Sequence, residues 1–292
     1  MREMSDSNRK TPSDVARRLR QNARFGCCRC GLPVYQYHHI IPYSQEQHFR
    51  VEDMMILCPI CHDMATKGAL NDKEQREIQA SPFNVRKGLA QGTLHVNQNY
   101  CAIVAGGIIL VGEGPVIAVS GEPLISIRLG ENGELLLSVT LYSEEGSLIA
   151  EIVDNEWISG DPSVWDMESD HQKLTIRSAP YKVALNLDIR GEPAHMRAKL
   201  WHAGYLIDLR GAGIRVNGKN AGQEISNLAL AGGMLELDTS GPVTKLKLGP
   251  QREQRKCTII SEPEREVRLR KAIAAWKVLN GEPHGTPEAL RG

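Results

Sequence analysis

The chain has few aromatic residues, no net charge and no long apolar segment. Only three Phe and four Trp occur among its 292 residues, so a core must be built mainly from aliphatic side chains. The balance of 35 basic and 35 acidic side chains excludes a uniformly basic coat protein for nucleic acid and an acidic disordered protein. No run of about 18 apolar residues occurs, and the first twenty residues lack the apolar centre of a signal peptide. We therefore expect a cytoplasmic protein.

Cysteine is nearly absent beyond residue 61. Five of the seven cysteines lie in the first quarter of the chain and two lie beyond it: Cys27, Cys28, Cys30, Cys58 and Cys61, then Cys101 and Cys257. Because thiols stay reduced in the cytoplasm, this clustering indicates a metal site rather than disulfides.

Two C-x-x-C pairs account for most of the cluster. Cys27 and Cys30 form the first pair, Cys58 and Cys61 the second, and 27 residues separate them. Two intervening residues let both thiolates of a pair face one metal, so the pairs predict a structural, tetrahedral Zn²⁺ with sulfur at about 2.3 Å. Cys28 has the wrong spacing for a ligand. Because so short a segment has little core of its own, we expect the metal to stabilise its fold directly.

Three histidines accompany these pairs. The sequence YHHIIP places His38 and His39 between the pairs, and His62 follows the second pair at once. Neutral imidazoles ligate divalent metals or accept a proton near pH 7. Adjacent residues of a strand point to opposite faces, so His38 and His39 should have different tasks. Taken alone, the pair also fits two structural histidines.

The order of these motifs resembles that of a known family. C-x-x-C, then HHIIP, a polar residue five positions before the second pair, and LCPICH together resemble the HNH endonucleases of the ββα-metal type with a four-cysteine zinc, over about residues 24–70. The resemblance implies a hairpin, a loop and a helix that hold one catalytic divalent cation. It also implies that His38 ligates the cation, that His39 is the general base that activates water, and that His62 ligates the cation or contacts the scissile phosphate.

The resemblance also assigns a cation and identifies one departure from the family. Phosphodiester hydrolysis of this type uses Mg²⁺ or Mn²⁺ with oxygen and imidazole ligands. Asp53 stands where the family has Asn, a residue that fixes backbone geometry or ligates the metal. We expect Asp53 to serve as a ligand beside His38 and His62. The departure also admits a degenerate nuclease.

The neutral total charge conceals an uneven distribution. Residues 1–100 carry a net +4, residues 101–246 a net −8 and residues 247–292 a net +4. Residues 11–24, TPSDVARRLRQNAR, begin with capping residues and predict a short basic helix. We expect contacts with DNA phosphates, without sequence readout, from Arg17, Arg18, Arg20, Arg24 and Lys67. A merely solvated helix face is the alternative interpretation.

From about residue 93 the pattern changes to short apolar runs separated by glycine. Apolar and polar residues alternate in 124–129 and 137–142, and the sequence ENGE between them is typical of a hairpin turn. This pattern predicts eight to ten strands between about 95 and 247, in a mainly antiparallel β sandwich or β roll. No ligand constellation is evident there.

The last segment predicts an amphipathic helix. In SEPEREVRLRKAIAAWKVLN an apolar stripe follows acids in the first turn, and we expect it to dock on the β domain or on a second subunit. The expected fold class is α+β. Its predicted domains are a basic helix and nuclease domain over 1–92, an all-β regulatory or oligomerisation domain over 93–247, and a charged tail with the helix over 248–292.

Three functions compete at this point. The first is a metal-dependent DNA endonuclease of low sequence specificity, controlled through its β domain. The second is a degenerate zinc module that binds nucleic acid or a partner without cutting. The third is an assembly protein that the β domain oligomerises. The layout is similar to that of bacterial nucleases in antiphage defence, an analogy of architecture alone.

Overall fold

The structure, a computed structural model, describes residues 10–160, 164–218, 221–241, 244–251 and 256–281. Parts of the predicted N-terminal segment and C-terminal tail, residues 1–9, 252–255 and 282–292, lie outside these ranges. The helices are α1 (Ser13–Asn22), α2 (Pro59–Thr66), α3 (Asp72–Ala80), α4 (Phe83–Lys87) and α5 (Arg265–Leu279). No described helix is both long and apolar enough to cross a membrane.

The N-terminal module, residues 10–88, is built around a two-stranded hairpin. Strand β1 (Gln36–His39) pairs antiparallel with β2 (Met54–Leu57), and every side chain of β2 is buried. Helix α2 begins directly after β2 because Cys58 caps its N-terminus and Pro59 occupies the first turn, where no amide hydrogen is needed. Helix α3 starts with a reciprocal capping box between Asn71 and Glu74.

The remaining strands lie between residues 90 and 261. They are β3 (Ala90–Thr93), β4 (Ala102–Ala105), β5 (Ile108–Val111), β6 (Gly114–Val119), β7 (Glu122–Leu129), β8 (Leu135–Tyr142), β9 (Leu148–Val153), β10 (Glu156–Ser159), β11 (Asp166–Asp170), β12 (Lys173–Ala179), β13 (Lys182–Asp188), β14 (Ala194–His202), β15 (Tyr205–Asp208), β16 (Gly213–Gly218), β17 (Ala221–Ser226), β18 (Leu228–Ala231), β19 (Gly233–Asp238), β20 (Lys245–Pro250) and β21 (Thr258–Ser261).

These strands form two large sheets. The first has the order β20-β19-β6-β7-β8-β9-β10-β3. The second has the order β11-β12-β13-β14-β4-β5-β18-β21, and β15, β16 and β17 extend it from β14. Three pairings are parallel, β14 with β4, β18 with β5 and β19 with β6, and the other described pairings are antiparallel.

One apolar core joins the two sheets. Alternate residues of β8 point inward, with Leu135, Leu137, Val139 and Leu141 nearly inaccessible, and they share a cluster with inward residues of β12 to β15 in the other sheet. The arrangement is a β sandwich beside a small helical module, so the predicted α+β class with mainly antiparallel sheets is confirmed. The described residues contain about twice the predicted number of strands, because many strands are only four residues long and too short for alternation to reveal.

The predicted domain limits fall inside strands. Ala90 pairs with Ser159 and Thr93 with Glu156, so β3 belongs to the first sheet although 92 was the expected end of the first domain. The expected limit at residue 247 lies within β20.

Helix α5 covers the outer face of the second sheet, where Leu269, Ile273 and Trp276 are buried against β4, β5 and β18. Its apolar stripe therefore docks on the β domain of the same chain.

Candidate zinc and nuclease site

Four cysteine sulfurs converge where the hairpin meets α2. The Sγ atoms of Cys27, Cys30, Cys58 and Cys61 all lie within 4.8 Å of one another. The Cys30 sulfur is 3.7 Å from that of Cys58 and 4.0 Å from that of Cys61. Four sulfurs at about 2.3 Å from a tetrahedral zinc are roughly 3.8 Å apart, so these residues fit the predicted ion. Closed coordination by four thiolates makes the site structural.

Two neighbours of the sulfurs have separate tasks. Cys28 is buried, and burial raises the pKa of its thiol to about 12. It lies outside the four-sulfur group, and its backbone amide donates to the Ile56 carbonyl at 2.9 Å, which joins the first pair to β2. Arg29 Nη1 lies 3.8 Å from Cys61 Sγ. A guanidinium at this distance favours the thiolate form that the zinc requires.

The protonation of His38 follows from a chain of hydrogen bonds. Gln75 on α3 donates its amide NH₂ to the Leu70 carbonyl at 2.9 Å, so its oxygen must face the opposite way. That oxygen lies 2.9 Å from His38 Nε2, which must therefore carry the proton. The second nitrogen of His38, Nδ1, is left unprotonated. Burial lowers the pKa of His38 below its ordinary value, which also favours the neutral ring.

His39 has a similar partner on the other face of the strand. Its Nε2 lies 3.0 Å from the His48 carbonyl, and an acceptor there requires the proton on Nε2 and leaves Nδ1 basic. The ring lies among Tyr43, His48 and Phe49, with centroid distances of 5.2–5.8 Å. Burial lowers the pKa of His39. The imidazole is therefore oriented, neutral and able to accept a proton.

His62 on α2 lies next to His38. The two ring centroids are 5.0 Å apart and the rings are nearly perpendicular, at 89°. Two imidazoles that share a cation at ligand distances of about 2.1 Å have centroids roughly 5 Å apart. Partial burial lowers the pKa of His62, so this ring also favours the neutral state. The spacing of the two rings is thus compatible with one shared divalent ion.

Asp53 does not complete this pair. Its Oδ2 accepts from Arg50 Nε at 2.6 Å and its Oδ1 from Arg76 at 2.5 Å. These two arginines lower the pKa of the carboxyl group. Within the described residues, the four cysteines are the only group of three or more metal-ligating side chains. Both Asp53 oxygens are thus engaged by guanidinium groups, and a ligand role for Asp53 beside His38 and His62 stays a prediction.

Asp53 instead joins the loop of the hairpin to α3. Its backbone carbonyl accepts from the Ile40 amide at 2.9 Å, directly after the histidine pair. Its side chain connects Arg50 of the loop with Arg76 of α3. This arrangement matches the other task of the family's middle residue, which is to fix backbone geometry.

Arg17 and Arg20 of α1, and Arg24 just after it, contact the β domain. Arg20 is only 7% exposed and pairs with Asp166. Arg17 stacks over Trp165 with its guanidinium carbon 4.7 Å from the ring centroid, and Arg24 donates to the Gly160 carbonyl at 2.7 Å. The expected phosphate contact by Arg20 is therefore wrong, because the side chain is buried and its donors are used.

The other two predicted contacts are at the surface. Arg18 is exposed on α1. Lys67, just after α2, is exposed and forms an ion pair of 3.0 Å with Asp63. Both stay predicted phosphate contacts, as do Arg17 and Arg24, which are only partly buried. The site residues that sequence reasoning missed are Gln75, Arg76 and His48. The capping box between Asn71 and Glu74 is the sequence signal that could have located the helix that carries Gln75 and Arg76.

Comparison with known proteins supports the module's family. Residues 27–68 match the family model described as HNH endonuclease, about a seventh of the chain that includes both cysteine pairs and all three candidate histidines. No curated protein and no solved structure matches the chain significantly. The match and the cysteine cluster identify a zinc-binding HNH module and support a nuclease-type function at the family level.

Proposed function

We propose that the chain is a metal-dependent endonuclease that hydrolyses phosphodiester bonds of DNA through His38, His39 and His62. One observation carries the proposal: the hydrogen bonds to Gln75 and to the His48 carbonyl leave Nδ1 unprotonated on two adjacent imidazoles that face opposite sides of β1. Such control of the tautomer by an outer partner is typical of metal-ligating and proton-accepting histidines.

His38 and His62 are the residues that would hold the divalent cation, Mg²⁺ or Mn²⁺. When bound, the cation supplies positive charge that stabilises the phosphate as it becomes more negative. Imidazole and phosphate oxygen are acceptable ligands for Mn²⁺, and water completes the shell of either ion. Asp53 contributes through the loop that it fixes between Arg50 and Arg76.

His39 is the proposed general base. Its Nδ1 accepts a proton from water, while Nε2 keeps its hydrogen bond to the His48 carbonyl and holds the ring in place. The water oxygen then forms the new bond to phosphorus, the bond to the leaving oxygen of the nucleic acid breaks, and that oxygen takes a proton from solvent. The neutral state that burial favours in His39 is the state this task requires.

Arg17, Arg18, Arg24 and Lys67 are the predicted contacts with flanking phosphates, which supply affinity without sequence information. Low sequence specificity, control or oligomerisation through the β domain, and a task in antiphage defence stay predictions from the layout of the chain. One catalytic site cuts one strand at a time, so a double-strand break requires two copies or two successive nicks.

The experiment is a cleavage assay on supercoiled plasmid with Mg²⁺, Mn²⁺ or EDTA. Wild type is compared with His39→Ala and with the control His95→Ala, which removes an exposed histidine outside the module. We expect nicking by wild type and the control only with added cation, and a loss of about 10²–10⁴-fold in His39→Ala. Zinc content should be equal in all three proteins.

Other substrates separate the competing functions. Single-stranded DNA and RNA are tested in parallel, because the HNH match does not distinguish them. Salt-sensitive binding of plasmid without cleavage of any substrate by zinc-loaded wild type would contradict the proposal and favour the degenerate binding module. Absence of both binding and cleavage would favour the assembly protein.

A further inference from the structure

The nuclease module and the β sandwich are joined by a buried ion pair. Arg20 of α1 donates from Nε to Asp166 Oδ1 at 2.8 Å and from Nη2 to Asp166 Oδ2 at 2.6 Å. The two residues are 146 positions apart, and their side chains are 8% and 3% exposed. This parallel pair of bonds is the strongest geometry that arginine and a carboxylate can adopt.

The remaining nitrogen of the Arg20 guanidinium contacts the hairpin of β1 and β2, which carries His38. Nη1 of Arg20 donates to the hydroxyl of Tyr37 at 2.7 Å. Tyr37 precedes His38 on β1, where it is opposite Ile56 while His38 is opposite Met55. Because the backbone of a paired strand is stiff, a constraint on Tyr37 also constrains the position of His38.

The rest of the contact holds this arrangement rigid from the β domain. Asp166 begins β11, the first strand of the second sheet, and pairs with Arg177 of β12. Gln21 of α1 donates to the Trp165 carbonyl at 2.6 Å. Burial by itself would lower the pKa of Arg20, but the bonds to Asp166 raise it above its ordinary value, so the charge is retained.

The geometry points to Asp166 as a positioning residue of the nuclease site, which acts through Arg20 and Tyr37 on the cation ligand His38. This inference rests on the proposed function, since it assigns His38 to that site. It makes the β sandwich a structural part of the nuclease rather than an independent attachment. Arginine is required at position 20 because only its planar fork reaches Asp166 and Tyr37 together.

The chain of contacts from Asp166 through Arg20 and Tyr37 to His38 is called the relay below. Two substitutions test it, one at Asp166 and one at Tyr37. Asp166→Asn keeps the shape of the side chain and removes its charge, and Tyr37→Phe removes one hydroxyl while the ion pair stays. The control is Asp208→Asn, because Asp208 also forms a two-bond pair with Arg210, entirely within the β domain and more exposed than the pair of Arg20 and Asp166. The double variant Asp166→Asn/Tyr37→Phe completes the set.

The readouts separate positioning from general stability. They are kcat and KM for plasmid nicking, Mn²⁺ affinity by electron paramagnetic resonance, zinc content and Tm, all on the full chain. We expect Asp166→Asn and Tyr37→Phe each to lower kcat and Mn²⁺ affinity by about three- to tenfold with KM for DNA unchanged. The double variant should show no more loss than Asp166→Asn, because both changes interrupt one relay.

Several outcomes would overturn the inference. Values of kcat and Mn²⁺ affinity within twofold of the Asp208→Asn control in both variants would show that the ion pair only joins the modules. If Asp166→Asn does not fold, Tyr37→Phe still decides. If wild type binds Mn²⁺ but cuts nothing, the proposed function fails while the Mn²⁺ titrations still test the relay. A wild type that binds no Mn²⁺ contradicts both.

Discussion

The N-terminal HNH module and the β sandwich have interiors of different chemical composition. Among the described residues, four of the thirteen buried side chains in the module core are cysteines, and four of the other nine come from β2. The core of the sandwich is almost entirely aliphatic and extends across two sheets. Small domains bury too little apolar surface to be stable alone, so the module depends on zinc and on bonds to its neighbour, whereas the sandwich depends on packing.

The largest effect should come from the zinc ligands. Cys58→Ser should lose the metal and unfold the module, because binding of a structural zinc contributes roughly 10–16 kcal/mol in small domains. The sandwich should retain its own thermal transition. Calorimetry, with zinc content measured on the same samples, checks this.

Cys28→Ala is the matched control for the zinc ligands. It removes an adjacent buried thiol that is not part of the four-sulfur group. We expect full zinc content in this variant. Loss of zinc there, or a single common transition in Cys58→Ser, would show that the two regions do not differ as described.

The sandwich should respond to loss of apolar volume instead. Leu137→Ala removes a side chain that is 1% exposed, and we expect a loss of about 2–5 kcal/mol in the free energy of unfolding of the sandwich. Leu136→Ala, its outward-facing neighbour on β8, should cost much less. Denaturant unfolding measures both, and equal losses would contradict the assigned core.

The smallest effect should come from Asp53, which separates the two tasks considered for it. If it only joins Arg50 and Arg76, Asp53→Ala should lower the unfolding temperature of the module by about 2–8 °C and leave Mn²⁺ affinity unchanged. Asp53→Asn, which keeps one acceptor oxygen, should cost less. A loss of Mn²⁺ affinity of tenfold or more at unchanged stability would restore Asp53 as a ligand.

Local spacing accounts for the features that could be predicted. The local sequence specifies the hairpin and the helix on or near which the two C-x-x-C pairs and the three candidate histidines lie. The arrangement of these side chains therefore follows from short-range geometry. The alternation in β7 and β8 predicted those strands for the same reason. Four-residue strands such as β4 and β5 are buried on both faces and show no alternation to detect.

Long-range contacts account for what was missed. The charge of α1 predicted phosphate binding, but Arg20 meets an acid 146 residues away that no local pattern relates to it. Gln75 had no recognisable link to His38 until α3 packed against β1. Asp53 could not be distinguished as a ligand or a loop anchor without knowing where Arg76 lies.

The sequence by itself determined the zinc ligands, the histidine pair, the α+β class and the terminal helix, because short periods and fixed spacings specify each of these. Tertiary structure alone decided the order of the sheets, with its three parallel pairings, and the tautomers of His38 and His39. It also decided that Arg20 of the basic helix pairs with the β sandwich, whereas Arg18 of the same helix stays exposed. A charge or a hydrogen-bonding group identifies what can be bound, and only the packed chain determines which partner comes close enough to bind it.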